Sequence, residues 1–234
     1  MTNSQRLFEP LKVTAWLRTG VVCDDYFPLD GILYAQLCRD RLGPEEISMP
    51  GGNQEMPVLK EELPLEIRER AGQWYYACSF AQPRIWWKAE AQDHWNKRFD
   101  LTESGIVDFQ GRRGTVNMQS ARYRAYHMTI YYRAAIKIEW YCFGDRKEIE
   151  YLLGTLTHIG KKTIQGWGRV NRWETSALHE DLSEYKNGVP TRALPATKEE
   201  LLVIGKNGSA FRVRQWGFRP SYYAKSNQML CLVP

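Results

Sequence analysis

The chain has 234 residues, a formal net charge of +5, and a composition that is 43% hydrophobic, 25% charged and 13% aromatic. That length predicts one compact body with a sizeable core. The cysteines are odd in number and none stand in C-x-x-C spacing, which excludes a disulfide framework and a zinc knuckle. With neither a signal sequence nor an apolar stretch long enough to cross a bilayer, we expect a cytoplasmic protein without a membrane partner.

The first third of the chain predicts a strand, a loop, a helix and a long excursion. Residues 11–18 alternate apolar and polar positions, as a strand does, and a loop follows at 21–28. A helix should begin near Asp30, a suitable N-cap, and bury a stripe of Ile32, Leu33, Leu37 and Leu42. Residues 44–64, rich in Pro, Gly and Glu, predict a mobile excursion before a second strand at 74–81.

The middle of the chain repeats this order after an irregular stretch. Residues 82–124 have weak periodicity and predict an insertion. Apolar residues at three- and four-residue intervals predict a helix over 146–156. The predicted strands of this part and of the C-terminal region are 126–132, 136–143, 168–175 and 211–217.

The order of these elements indicates the fold class. A β-α-β unit, an insertion and a second β-α-β unit predict an α+β, ferredoxin-like (RRM-like) fold, with two helices on one face of an antiparallel sheet. We expect one body over residues 1–234, with 82–124 inserted and 176–234 extending it at the C-terminus.

The stretch HIGKKTIQGWGRVNRWE, from His158 to Glu174, is the strongest indication of function. Its glycines permit positive φ and close approach of a ligand, its four cations have no acid between them, and Trp167 offers a face for a base. We therefore expect a preformed cradle whose amides and cations grip a phosphate backbone. A nucleotide-binding P-loop is excluded, because here the helix precedes the loop and Lys162 replaces the hydroxyl residue.

Charge is distributed unevenly along the chain. Residues 24–70 carry eleven acids and five bases, whereas 104–137 carry six bases and one acid, and 205–225 carry five bases and no acid. Such a bipolar molecule can bind nucleic acid on one side and protein on the other. A protein-interaction scaffold, with incidental basic patches, is an alternative that this pattern leaves open.

Together with the loop, the stretches FPLDGILYA, WGFRPSYY and LCLVP point to a family. In this order they resemble the type IV CRISPR-associated Cas-five-like RAMP proteins, the Csf family small subunits that bind the crRNA 5′ handle. The resemblance implies a ferredoxin-like RAMP fold with a glycine-rich loop and a thumb-like insertion at 82–124. It also implies a noncatalytic crRNA-binding subunit, without metal or cofactor, that caps the handle in an effector complex binding target DNA.

The resemblance and the charge pattern together indicate which residues should contact nucleic acid and which partners the protein should have. The residues expected to contact RNA are Lys161, Lys162, Gln165, Gly166, Trp167, Gly168, Arg169 and Arg172. The resemblance does not cover the insertion at 82–124, but its positive charge leads us to expect that Arg112, Arg113, Arg122 and Arg124 touch the handle or the PAM-side DNA. The implied partners are crRNA, target DNA through the complex, a Cas-seven-like backbone subunit, a Cas-eight-like large subunit, a crRNA-processing subunit and a DinG-type helicase.

An enzymatic alternative comes from the same superfamily, which includes metal-independent crRNA-processing endoribonucleases. Such enzymes need a general base and an acid near a 2′-hydroxyl. His158 lies just before the basic loop, and His94 and His127 are further candidates. Since a single histidine beside a basic loop is more often a surface residue, the noncatalytic interpretation is preferred.

Overall fold

The computed structural model describes residues 6–41, 60–82, 90–98, 100, 102, 124–203 and 212–234, a mixed α/β structure of mostly antiparallel strands with few helices. The strands are β1 Phe8–Leu17, β2 Ile67–Arg70, β3 Gln73–Tyr76, β4 Glu90–Lys97, β5 Tyr126–Arg133, β6 Lys137–Asp145, β7 Val170–Ala177, β8 Tyr185–Lys186, β9 Val189–Pro190, β10 Leu194–Pro195, β11 Arg212–Gly217 and β12 Gln228–Val233. The helices are α1 Leu29–Arg41, α2 Arg146–Gly154 and α3 Lys198–Val203. Within these ranges, no helix has the length and apolar character needed to span a membrane.

The central sheet has β1 in the middle, paired antiparallel with β6 on one side and β7 on the other. Alternate side chains of β1 point to one face, and Leu11, Val13 and Ala15 on that face are fully buried. Trp16 lies on the opposite face, beside Lys137 of β6 and Arg172 of β7. The alternation predicted for this strand is therefore confirmed.

The predicted strand at 74–81 divides into two parts. Its first residues form β3, which pairs with β2 in a separate hairpin. Residues 77–82 then run along the free edge of β6, where Ser79 N–H donates to Tyr141 O at 2.7 Å and Gln82 N–H donates to Glu139 O at 2.7 Å. From one edge of the sheet to the other, the neighbouring segments are therefore 77–82, β6, β1 and β7.

Both long helices cover the inner face of the sheet. Ile149, Leu152 and Leu153 of α2 are buried as the apolar spacing predicts, in the same core as Ile32 and Leu33 of α1. The apolar period overestimates the length of α2, which ends at Gly154 instead of residue 156. Leu156 is still buried, because its position in the core does not require helical backbone.

Strand β4 lies in the segment expected to be an insertion, and it pairs antiparallel with β5, which follows that segment, to form the β4–β5 hairpin. The register pairs Glu90 with Arg133 and Lys97 with Tyr126. Residues 90–97 (EAQDHWNK) are mostly polar, so their sequence has no alternation of apolar residues that would indicate a strand. The strand at 126–132 was predicted, and its partner was not.

The C-terminal residues build a second, smaller core. Strand β12 lies between β10 and β11. Phe80 packs in this core with Leu194, Phe218, Leu232 and other buried side chains. Because residue 80 belongs to the stretch that follows the edge of β6, the second core is tied directly to the central sheet.

Candidate nucleic-acid interface

The glycine loop, residues 158–169, is folded back on itself. His158 and Arg169 form a β-bridge, and Ile159 N–H donates to Gly168 O at 2.9 Å. Between them the chain makes a short 3-10 turn at Thr163–Gln165, flanked by left-handed residues Lys162 and Gly166 with φ of 61° and 90°. The loop therefore has a defined conformation that its own backbone hydrogen bonds hold.

Its three glycines are required for different reasons. A Cβ on Gly168 would lie 1.9 Å from Ile159 O, and one on Gly160 would lie 2.5 Å from Val22 O. These two glycines let the protein backbone approach itself. A Cβ on Gly166 would meet nothing within 4 Å, so this is the position at which a ligand backbone can come close.

The loop is anchored to the segment after β1. Lys161 N–H donates to Val22 O at 2.6 Å and Gly168 N–H donates to Gly20 O at 2.8 Å. The Thr19 hydroxyl donates to Gly166 O and accepts from Arg169 N–H, both at 2.9 Å. Several loop amides that the sequence suggested for phosphate binding are thus already satisfied within the protein.

The cations of the loop lie in different environments. Lys161 Nζ lies 2.7 Å from Asp24 Oδ1, and this hydrogen bond raises the pKa of Lys161. Lys162 and Arg169 are exposed, and no ion pair joins either to the described part of the chain. Arg172 lies over the Trp16 ring, 4.7 Å from its centroid, and 3.8 Å from Glu174. Lys162 and Arg169 are accordingly the cations most available to a phosphate.

Arg18 belongs to the same surface. It is exposed, its Nε donates to Asn171 Oδ1 at 2.8 Å, and its backbone N–H donates to Arg169 O at 2.8 Å. Sequence reasoning missed this residue as part of the site, because it lies more than a hundred residues before the loop, at the end of the strand predicted at 11–18.

Trp167 is half-buried, since its ring packs against Tyr132 with centroids 4.3 Å apart and planes tilted by 34°. Gln165 is exposed on the turn beside it. Part of the Trp167 side chain remains exposed, while the Tyr132 contact fixes the orientation of its ring.

The stretches that suggested the family meet next to this loop. Tyr222, from WGFRPSYY, donates a hydrogen bond to Asp30, from FPLDGILYA. Asp30 is fully buried 3.7 Å from the Arg192 guanidinium; burial raises the pKa of this carboxyl and Arg192 opposes that shift. Asp30 lies in the first turn of α1 and is not its N-cap, because the helix starts at Leu29, one residue before it. A cleft of about 640 Å³ lies next to Tyr222, and Asp24, Arg214 and Tyr223 also line it.

The remaining candidates lie elsewhere or outside the described residues. Arg112, Arg113 and Arg122 fall outside them, and Arg124 is exposed immediately before β5. His94 and His127 stack on the β4–β5 hairpin with ring centroids 4.7 Å apart. His158 flanks the glycine loop with its Nδ1 3.0 Å from the Thr157 hydroxyl. Across the described ranges, no three His, Cys, Asp or Glu side chains form a metal-binding group.

A family comparison identifies the chain more closely. The sequence profile of CRISPR type IV associated protein Csf3 matches residues 9–234. The chain belongs to the Csf3 family. No curated protein sequence matches it. The Csf3 match includes the central sheet, the glycine loop and the C-terminal sheet, and it confirms the type IV CRISPR relationship that the short sequence stretches suggested.

Proposed function

We propose that this Csf3-family chain is a noncatalytic crRNA-binding subunit that caps the 5′ handle in a type IV effector complex that binds target DNA. The observation that carries the proposal is the folded glycine loop, which exposes Lys162 and Arg169 on either side of the open Gly166 position. Because folding has already ordered this backbone, RNA binding does not have to order it again.

The binding is mainly electrostatic. Lys162, Arg169, Arg172 and Arg18 form an exposed positive surface that can neutralise backbone phosphates. Trp167 adds a stacking face next to that surface. Handle recognition then depends on the shape and backbone of the RNA, and the paired guide reads the target.

We also propose that the chain forms a ferredoxin-like RAMP body. The order 77–82, β6, β1, β7, with α1 and α2 on one face, corresponds to two interleaved β-α-β units. The β4–β5 hairpin takes the place of a thumb-like insertion. Arg124 at its end, with the other three arginines of the insertion, is proposed to reach the handle or the PAM-side duplex.

The partners we propose are those of a type IV complex. They are crRNA, target DNA, a Cas-seven-like backbone subunit, a Cas-eight-like large subunit, a crRNA-processing subunit and a DinG-type helicase. No cofactor takes part. In this proposal His158 has a structural role, because its backbone closes the glycine loop against Arg169.

The test is a charge-matched pair of double variants. Lys162→Ala with Arg169→Ala removes two exposed loop cations, while Lys147→Ala with Lys198→Ala removes two exposed cations on helices. Binding of synthetic handle RNA, measured by fluorescence anisotropy over a salt series, should weaken for the loop pair. The log–log salt slope should become shallower by about 1.4, at about 0.7 per phosphate contact. Equal losses in both double variants would contradict specific binding at the loop.

A further inference from the structure

One face of the β4–β5 hairpin carries a row of large side chains. The antiparallel register places Trp95 opposite Met128 and Lys97 opposite Tyr126. Because side chains alternate along a strand, Tyr126, Met128 and Tyr132 share one face of β5. This face also contains Ile130, which is 5% exposed, whereas its neighbours on this face, Met128 and Tyr132, are partly exposed.

The row is continuous with the glycine loop. At its near end the Tyr132 ring packs on Trp167, and Lys162 Nζ lies 4.0 Å from Met128 Sδ. At its far end the Trp95 and Tyr126 rings meet edge to face, with centroids 5.1 Å apart. We call Trp167, Tyr132, Met128, Trp95 and Tyr126 the hairpin track.

Positive charge accompanies the track at both ends. Lys162 lies at the near end, and Lys97 Nζ lies 5.8 Å above the Tyr126 ring at the far end. Arg98 and Arg124 are exposed just beyond the paired strands. Asp93 is the acidic residue on this face among the residues that the structure describes. Its Oδ1 accepts a hydrogen bond from the backbone N–H of His94.

We propose that the hairpin track binds single-stranded nucleic acid that leaves the glycine loop, with bases stacked on its aromatic rings and phosphates near its cations. Aromatic rings interleaved with cations suit unpaired bases of any sequence. From Tyr132 to Tyr126 the strand spans about 20 Å, enough for up to about six nucleotides at a spacing of 3.4 Å. This inference rests on the proposed function, since the loop holds the first nucleotides of the strand.

The opposite face of the hairpin provides a matched control. Tyr131 lies on the same strand as Tyr126, is 55% exposed, and faces the other way. The track variant is therefore Trp95→Ala with Tyr126→Ala, and the control variant is His127→Ala with Tyr131→Ala. A third variant, Trp95→Phe with Tyr126→Phe, keeps the stacking rings and shows whether a loss is caused by the rings themselves.

The full chain is titrated with labelled oligouridine and oligothymidine of about four and about twelve nucleotides. Thermal unfolding first establishes that each variant is folded. The track variant should weaken binding of the longer oligonucleotide roughly 5- to 100-fold and leave the shorter one unchanged. The control and the Phe variant should bind like the wild-type chain. A preference for oligouridine assigns the track to guide RNA, and a preference for oligothymidine assigns it to a displaced DNA strand.

The loop variant Arg169→Ala separates the two proposals, because Arg169 is exposed on the glycine loop and does not belong to the hairpin track. If it weakens both lengths while the track variant behaves like the control, the track is refuted and the glycine-loop function stands. If Arg169→Ala changes neither length, the proposed function itself is refuted.

Discussion

The ion pair between Lys161 and Asp24 allows a direct test of whether the glycine loop binds RNA. Lys161 Nζ lies 2.7 Å from Asp24 Oδ1, and the side chains are 56% and 50% exposed. A phosphate that binds Lys161 must compete with this carboxylate. The substitution Asp24→Asn removes the competing charge with little change in size, so handle RNA should bind more tightly to the variant.

The expected gain follows from two small terms. An exposed ion pair is worth about 0–1 kcal/mol, which the phosphate no longer has to overcome. A phosphate about 6 Å from the Asp24 carboxylate would also be repelled by about 0.7 kcal/mol in water. Together they predict a gain of about 0.7–1.7 kcal/mol, or roughly 3- to 18-fold in affinity. The salt slope should become steeper by about 0.7, since one more cation meets a phosphate.

The assay is anisotropy of labelled handle RNA with the purified chain over a salt series. Glu62→Gln is the control, because Glu62 forms its ion pair with Arg41 at the far end of α1. It removes one negative charge from the chain without changing the glycine loop. Unchanged affinity and slope for Asp24→Asn would show that Lys161 does not contact phosphate. Weaker binding would show that Asp24 positions Lys161 for the RNA, the reverse of the competition argued here.

Three further predictions concern single side chains. Gly168→Ala places a Cβ 1.9 Å from a backbone oxygen and should lower the melting temperature far more than Gly166→Ala. The Gly166→Ala variant meets no steric clash and loses only the cost of an alanine at positive φ, about 1–3 kcal/mol. Similar melting temperatures for the two variants would contradict this. Asp30→Ala leaves the buried Arg192 charge uncompensated and should lower the free energy of unfolding, measured with urea, by about 3–5 kcal/mol. A loss below about 1 kcal/mol would mean that other groups satisfy Arg192. Trp167→Ala should weaken handle binding by about 1–3 kcal/mol if a base stacks there, whereas reduced stability with unchanged affinity would leave the indole a packing role only.

The sequence predicts elements whose periodicity reports burial. Strand β1 and helix α2 are found where their apolar spacing places them, because one face of each packs in the central core. The same rule gives no indication of β4, whose residues are mostly polar and whose pairing with β5 is set by the hairpin register. It also predicts a continuous strand at 74–81, where the chain leaves its pairing with β2 to follow the edge of β6.

Within the candidate site, residue type was predictable and its surroundings were not. The glycines and cations of the loop stand next to one another in the sequence, so their concentration is visible. Asp24, which pairs with Lys161, is 137 positions away, and Asp30 lies 192 positions from Tyr222. Contacts at such separations depend on the order of strands in the sheet, which local patterns do not report.

The hydrogen bonds of the glycine loop determine what kind of RNA site it can be. The N–H groups of Ile159, Lys161, Gly168 and Arg169 all donate to atoms of the protein itself. An anion-binding nest needs successive amides that are free to point at the ligand, and these four are committed to holding the loop closed. These four amides are therefore not available to a phosphate. If the loop binds RNA as proposed, we expect side-chain cations and ring faces to supply much of the affinity, which should then fall steeply with salt.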